Sequence, residues 1–241
     1  MELTSMHKGY NVHKFGFYTT IITSFIALIT FVIAIFTPPL SGPFCKVSCF
    51  EYPFTNIAGR FPRDYFWMYP AIILIICFVV FMVMIQNLAS KKMKLFSQIG
   101  LSFTMMSASI LILDYFVQLA VIQPSILSGE NQGIALLSQY NPHGIFIAME
   151  EIGYIFMSLA FLFMVPVFSK FKKLNNAVRW TFIFNFAFTI ISLIIISLLF
   201  GIHREYRFEV AAITINWLTL IIAGILMSLI FRKRLSKDQS D

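Results

Sequence analysis

The stretch GIFIAMEEIGYIFMSLAFLF, residues 144–163, is almost wholly apolar except for two adjacent glutamates, Glu150 and Glu151. A helix needs about 20 apolar residues to cross a hydrocarbon core about 30 Å thick, and this stretch has that length. It therefore reads as a transmembrane helix carrying two carboxyls, and both halves of that description shape the rest of the reading.

The composition agrees. Of 241 residues, 59% are hydrophobic and 12% charged, with a mean hydropathy of +0.81, against about 25% charged in a soluble domain. Six stretches have spanning length: 16–36, 66–87, 99–122, 144–168, 180–200 and 210–231. Backbone groups in lipid must be satisfied within their own segment, so these are helices. The expected fold is all-α, one polytopic integral membrane bundle of six transmembrane helices over residues 1–241. The first segment is longer than the 7 to 15 apolar residues of a signal-peptide core and has no small-residue cleavage site after it, so it reads as a retained helix. The longest connections, 37–65 and 123–143, are too short for a soluble domain, and no motif recurs between the halves.

Charge orients the bundle. Lys8 and Lys14, then Lys91, Lys92 and Lys94, then Lys170, Lys172, Lys173 and Arg179, then Arg232, Lys233, Arg234 and Lys237 fall on alternate connections. The opposite connections hold Lys46, Arg60, Arg63, Arg204 and Arg207, offset by Glu51, Asp64, Glu130, Glu205 and Glu209. The positive-inside rule then predicts both termini in the cytoplasm and a plasma or cytoplasmic membrane location. The net charge of +7 is a topological signal, and no nucleic-acid partner is expected. Membrane lipids are, and the tail FRKRLSKDQSD is a stop-transfer flank placed to touch anionic headgroups.

Cys45 and Cys49, in GPFCKVSCFEYP, fall on an expected outer loop, where oxidising conditions permit a disulfide. Two free thiols remain an alternative, and a zinc site would need further ligands that this loop lacks. Cys77 lies mid-helix and reads as packing.

Segment four runs from outside to inside, which puts Glu150 about 9 Å below its outer end. Asp114 on segment three and Asn216 on segment six fall at similar depth. Residues three or four apart share a helix face, which aligns Thr104, Ser107, Asp114 and Gln118 on segment three and His143, Glu150, Tyr154 and Ser158 on segment four. Glu151 lies about 100° round the helix, with Gly144, Ala148 and Ile155. The two glutamates are therefore not a dyad by themselves. Glu150 is the candidate to share a polar cavity with Asp114, and Glu151 pairs elsewhere.

A charged side chain at a helix centre costs about 2.5–3.5 kcal/mol on insertion scales, and no segment contains a basic residue to offset it. Protonation, hydrogen bonds from nearby Tyr, Gln and Asn, outside water, or a cation carried by a ligand are the available remedies. The candidate ligand-binding residues are Asp114, Gln118, Glu150, Tyr154 and Asn216, with Glu151 and His143 beside them. His143 also reads as an exposed or helix-capping residue. The apolar run GIALLSQY between the turn SGENQG and the break NPHG is expected to lie as a lid at the interface.

No HExxH, Cys/His cluster, nucleophile elbow, phosphate-cradling loop or haem-type histidine pair appears, so no metal site and no cofactor is expected. Three readings stand. The first is an outward-facing acidic intramembrane cavity that binds or transports a cation, a proton or an amine-bearing amphiphile, with a homo-oligomer as one way to build a path. The second is an intramembrane acid/base enzyme acting on a lipid or isoprenoid-like substrate. The third is a structural or accessory membrane protein, its acids serving as interhelical hydrogen-bond partners.

Overall fold

The computed structural model describes residues 12–168 and 171–238; Lys8, Lys170 and the side chain of Lys237 from the charge pattern lie outside the described residues. Among the described residues the ordered elements are helical, and six helices are long and apolar enough to cross a membrane. They are α1 (Val12–Ile35), α2 (Met68–Gln86), α3 (Lys94–Val117), α6 (Ile145–Met164), α7 (Lys173–Phe200) and α8 (Tyr206–Asp238), with two short helices, α4 (Gln123–Leu127) and α5 (Ile134–Leu137), between α3 and α6.

Long helices consecutive along the chain run antiparallel, as do α1 and α8, whereas α6 and α8 pack in parallel. Along α1 and α8 the pairings descend in register: the Gly16 position against Phe231, the Ser24 hydroxyl on the Ile221 carbonyl at 2.8 Å, and Phe31 edge-on to Trp217. Along α3 and α6, Gly100 meets Ala160, Ser107 donates to the Gly153 carbonyl at 2.8 Å, and Tyr115 meets Phe146. Small residues permit this closeness. A Cβ on Gly153 would meet Leu111 at 2.6 Å, and one on Gly224 would meet Ser24 Cβ at 2.7 Å and the Thr20 carbonyl at 2.8 Å. Close backbone approach through small residues is how helices associate when burial from water gives no drive between them.

Two helix boundaries differ from the sequence expectation, and each has a physical cause. The third helix does not stop at residue 122: a π-helical stretch, Gln118–Ile122, carries it into Gln123–Leu127. Pro124 lacks an N–H and crowds the carbonyl four residues back, and a wider turn ahead of it relieves both problems. The sixth helix begins at Tyr206, not at residue 210. Gly201, at φ +56°, closes α7, and after one 3-10 turn (Gly201–His203) the chain enters α8 with Glu209 in its first turn.

At the end of the bundle where α1 finishes and α8 starts, three loops lock together. Ser41 donates to the Tyr140 carbonyl, the Ser41 and Tyr206 hydroxyls are 2.6 Å apart, and Tyr206 also reaches the Gln139 carbonyl at 3.0 Å. The run expected as a lid folds as α5 and the turns around it, with Gly129 and Gly133 at positive φ. Cys45 and Cys49 meet as a close pair with Cα atoms 5.8 Å apart.

Candidate functional site

Buried acids gather where α3, α6 and the first turn of α8 meet. Glu150 is completely buried; Tyr115 donates to its Oε1 at 2.7 Å, and the Tyr115 and Tyr154 hydroxyls are 2.8 Å apart. With the Tyr115 proton directed at Glu150, Tyr154 donates to Tyr115, forming a short chain that ends on the carboxyl. Glu209 meets Glu150 carboxyl to carboxyl. Asp114 stands close enough to feel the charges of Glu150 and Glu209. One oxygen of each acid, Asp114 Oδ2, Glu150 Oε2 and Glu209 Oε2, is buried with no hydrogen-bond donor from the protein. Carboxylates in contact repel one another unless a proton or another cation stands between them.

Glu209 is the member that sequence reasoning misses, because its position beside Arg204 and Arg207 groups it with the loop charges. A signal was available: Glu209 lies seven residues before Asn216, hence on the same helix face, and that face runs through the buried residues Ala212, Asn216, Leu220, Ala223 and Met227. Its place in the first turn of α8 also sets it against the positive end of the helix dipole, worth about 0.3–1 kcal/mol to a nearby anion.

The other candidates separate by position. Glu151 takes a bidentate grip from Arg204 in the α7–α8 turn, Nε to Oε1 at 3.0 Å and Nη2 to Oε2. The segments lacked a basic partner, but a loop arginine folds inward to supply one. Gln118 clamps the lid, donating to the Leu137 carbonyl at 2.7 Å and accepting from the Gln139 N–H at 3.0 Å. Asn216 sits in a polar knot joining α6, α7 and α8: its Oδ1 accepts from Ser158 and Asn185, each at 3.2 Å, and its amide donates to the Ala212 carbonyl at 2.9 Å and the Tyr154 carbonyl at 3.3 Å. His143 lies at the surface, its Nε2 4.0 Å from Glu205.

A cavity of about 440 Å³ opens beside the acids, between the adjoining ends of α1 and α8 and beneath the loops. Phe31, Trp67, Phe146, Ile213 and Trp217 give it an aromatic and aliphatic wall, while Asp64, Tyr140, Tyr206 and Glu209 supply polar groups. Asp64 is already engaged, by Arg60 Nε at 2.8 Å and by the Tyr140 hydroxyl at 2.9 Å. Burial pushes the pKa of the Tyr140 phenol up, which keeps it a donor to Asp64. Glu209 alone among these lining acids retains a buried oxygen without a donor. Neither Asp114 nor Glu150 reaches the wall; Glu150 backs Glu209 from behind. The cavity is thus lined from α1, the start of α6, α8 and the loops above them, and α3 contributes none of its lining.

The chain matches no known family model, no curated protein and no solved structure.

Proposed function

We propose that the chain is an integral membrane protein of the plasma or cytoplasmic membrane, with both termini in the cytoplasm, that binds an amine-bearing amphiphile in the cavity between α1 and α8. The six apolar helices support the first part, and the alternation of basic connections supports the orientation. On that orientation the Cys45–Cys49 pair faces an oxidising side, and we read it as a disulfide.

The observation that carries the binding reading is Glu209. Its unpartnered oxygen is buried at a predominantly apolar cavity, and the second carboxyl behind it leaves the pair in need of a positive charge. An ammonium supplies that charge and three donors, while an alkyl or isoprenoid tail fits walls built from Phe31, Trp67 and Trp217. A volume of about 440 Å³ is within the ordinary range for a small-molecule site. Ile35, at the end of α1, both lines the cavity and is exposed on the flank of the bundle, so a ligand dissolved in lipid could enter sideways.

The test is thermal stabilisation of the purified chain in nanodiscs by dodecylamine, with dodecanol as the neutral control. The proposal expects stabilisation by the amine alone, lost in Glu209→Gln. Equal shifts from both compounds, or an amine shift unchanged in the variant, would reject it.

A further inference from the structure

We propose that His143, His203 and Glu205 form a binding site for a divalent transition metal of the zinc class, separate from the acid cluster. His143 ends the lid just before α6; His203 and Glu205 belong to the turn between α7 and α8. One ligand atom from each lies within 4.8 Å of the others. The two imidazoles approach edge-on, centroids 6.3 Å apart at 74°, and His143 Nε2 is 4.0 Å from Glu205 Oε1.

The ligand chemistry is specific. Zinc binds imidazole nitrogen and carboxylate oxygen at about 2.0–2.2 Å, so tetrahedral donors sit about 3.3–3.6 Å apart. Both histidines are exposed, so rotamer changes of their side chains are the direct way to close the remaining gap. Two imidazoles and a carboxylate suit zinc, copper or nickel, while magnesium and calcium favour all-oxygen sets. Three protein ligands leave a fourth position for water.

The neighbouring cations leave Glu205 Oε1 to His143. Arg204 is turned to Glu151, and Arg207 lies 4.1 Å over the Phe200 ring and donates to the His203 carbonyl. Arg207 also approaches Glu205, but at Oε2 and 3.5 Å, leaving Oε1 directed at His143. A shallow cavity lined by His143, Arg204 and Glu205 gives an ion access from solvent. A bound metal would staple the end of the lid to the turn that leads into Tyr206, which itself bonds the lid at Gln139.

Calorimetric titration of the tag-free full chain with Zn²⁺ tests the site, with magnesium as the control ion. The expected result is one zinc per chain and no magnesium heat, with affinity at least about tenfold weaker in His143→Ala and in His203→Ala. Metal-free melting temperatures equal to wild type would show that the variants fold. Zinc affinity unchanged in the double variant would overturn the site, since the remaining histidines, His7 and His13, would then hold the ion. Cobalt(II) provides an independent reading. The weak visible bands of nitrogen and oxygen ligation are expected, and an intense thiolate charge-transfer band would place the metal on cysteine instead.

Discussion

Glu150 on α6 faces Glu209 in the first turn of α8 carboxyl to carboxyl, inside a bundle whose neighbouring side chains leave an oxygen of each without a donor. The adjacent Glu151 is held by Arg204 on a different side of the same helix. One residue of helical rotation separates an acid held by an arginine from an acid that faces another carboxyl. That contrast is the basis of the proposal that Glu209, backed by Glu150, recognises a ligand, while Arg204 and Glu151 tie the α7–α8 turn to α6.

Glu209→Gln removes one of the facing charges and gives Glu150 an amide donor. The unliganded variant should melt at or above the wild type, by about 1 kcal/mol, or about 2–4 °C for a chain of this size. A clear loss of stability on thermal scanning would mean that the pair is a packed structural contact.

Arg204→Ala should act oppositely. It leaves the Glu151 carboxylate buried without its bidentate partner, which costs about 1–3 kcal/mol. Adding Glu151→Gln should recover most of the loss, and a double-mutant cycle on unfolding measures the coupling. An additive cycle would show that the ion pair contributes nothing.

Glycine contacts rank two further substitutions. Gly153→Ala pushes its methyl into the Leu111 side chain alone, whereas Gly224→Ala drives one against the Thr20 carbonyl and Ser24. Overpacking costs about 1–3 kcal/mol where side chains can yield. The Gly224 variant should be the less stable of the two, and equal melting temperatures would contradict the packing described.

Gln118→Leu should loosen the lid and little else. Both of its hydrogen bonds end on lid backbone, at Leu137 and Gln139, so amide hydrogen exchange should rise across residues 129–143 and stay unchanged in α7. Unaltered exchange in the lid would show that Ser41, Tyr140 and Tyr206 hold it alone.

Much of the architecture was legible because hydropathy and helix length respond to the same constraint, an apolar run of spanning length. The faces were legible within the helices: Thr104, Ser107, Asp114 and Gln118 are all buried, as are Glu150, Tyr154 and Ser158, whereas His143, aligned with the latter three, precedes α6 and is exposed. The failures came where polar residues begin or extend a helix. The hydropathy window starts at residue 210, just past Glu209, yet hydrogen bonding starts α8 at Tyr206 and carries that acid into the interior. Arg204 reads as a loop charge in sequence, because only the fold shows the α7–α8 turn bending over α6. His143 and His203 are sixty residues apart and carry no spacing signature; the meeting of two loops brings them together.

The most direct measurement uses the tryptophans. Trp67 and Trp217 line the cavity, whereas Trp180 is exposed on α7 and can be replaced by Phe. In Trp180→Phe protein in nanodiscs, a long-chain amine with a brominated tail should quench the remaining fluorescence saturably. The Glu209→Gln variant should show only the weak, linear quenching given by the brominated alcohol. Saturable quenching that survives Glu209→Gln, or that the alcohol matches, would contradict an amine site at the Glu150–Glu209 pair.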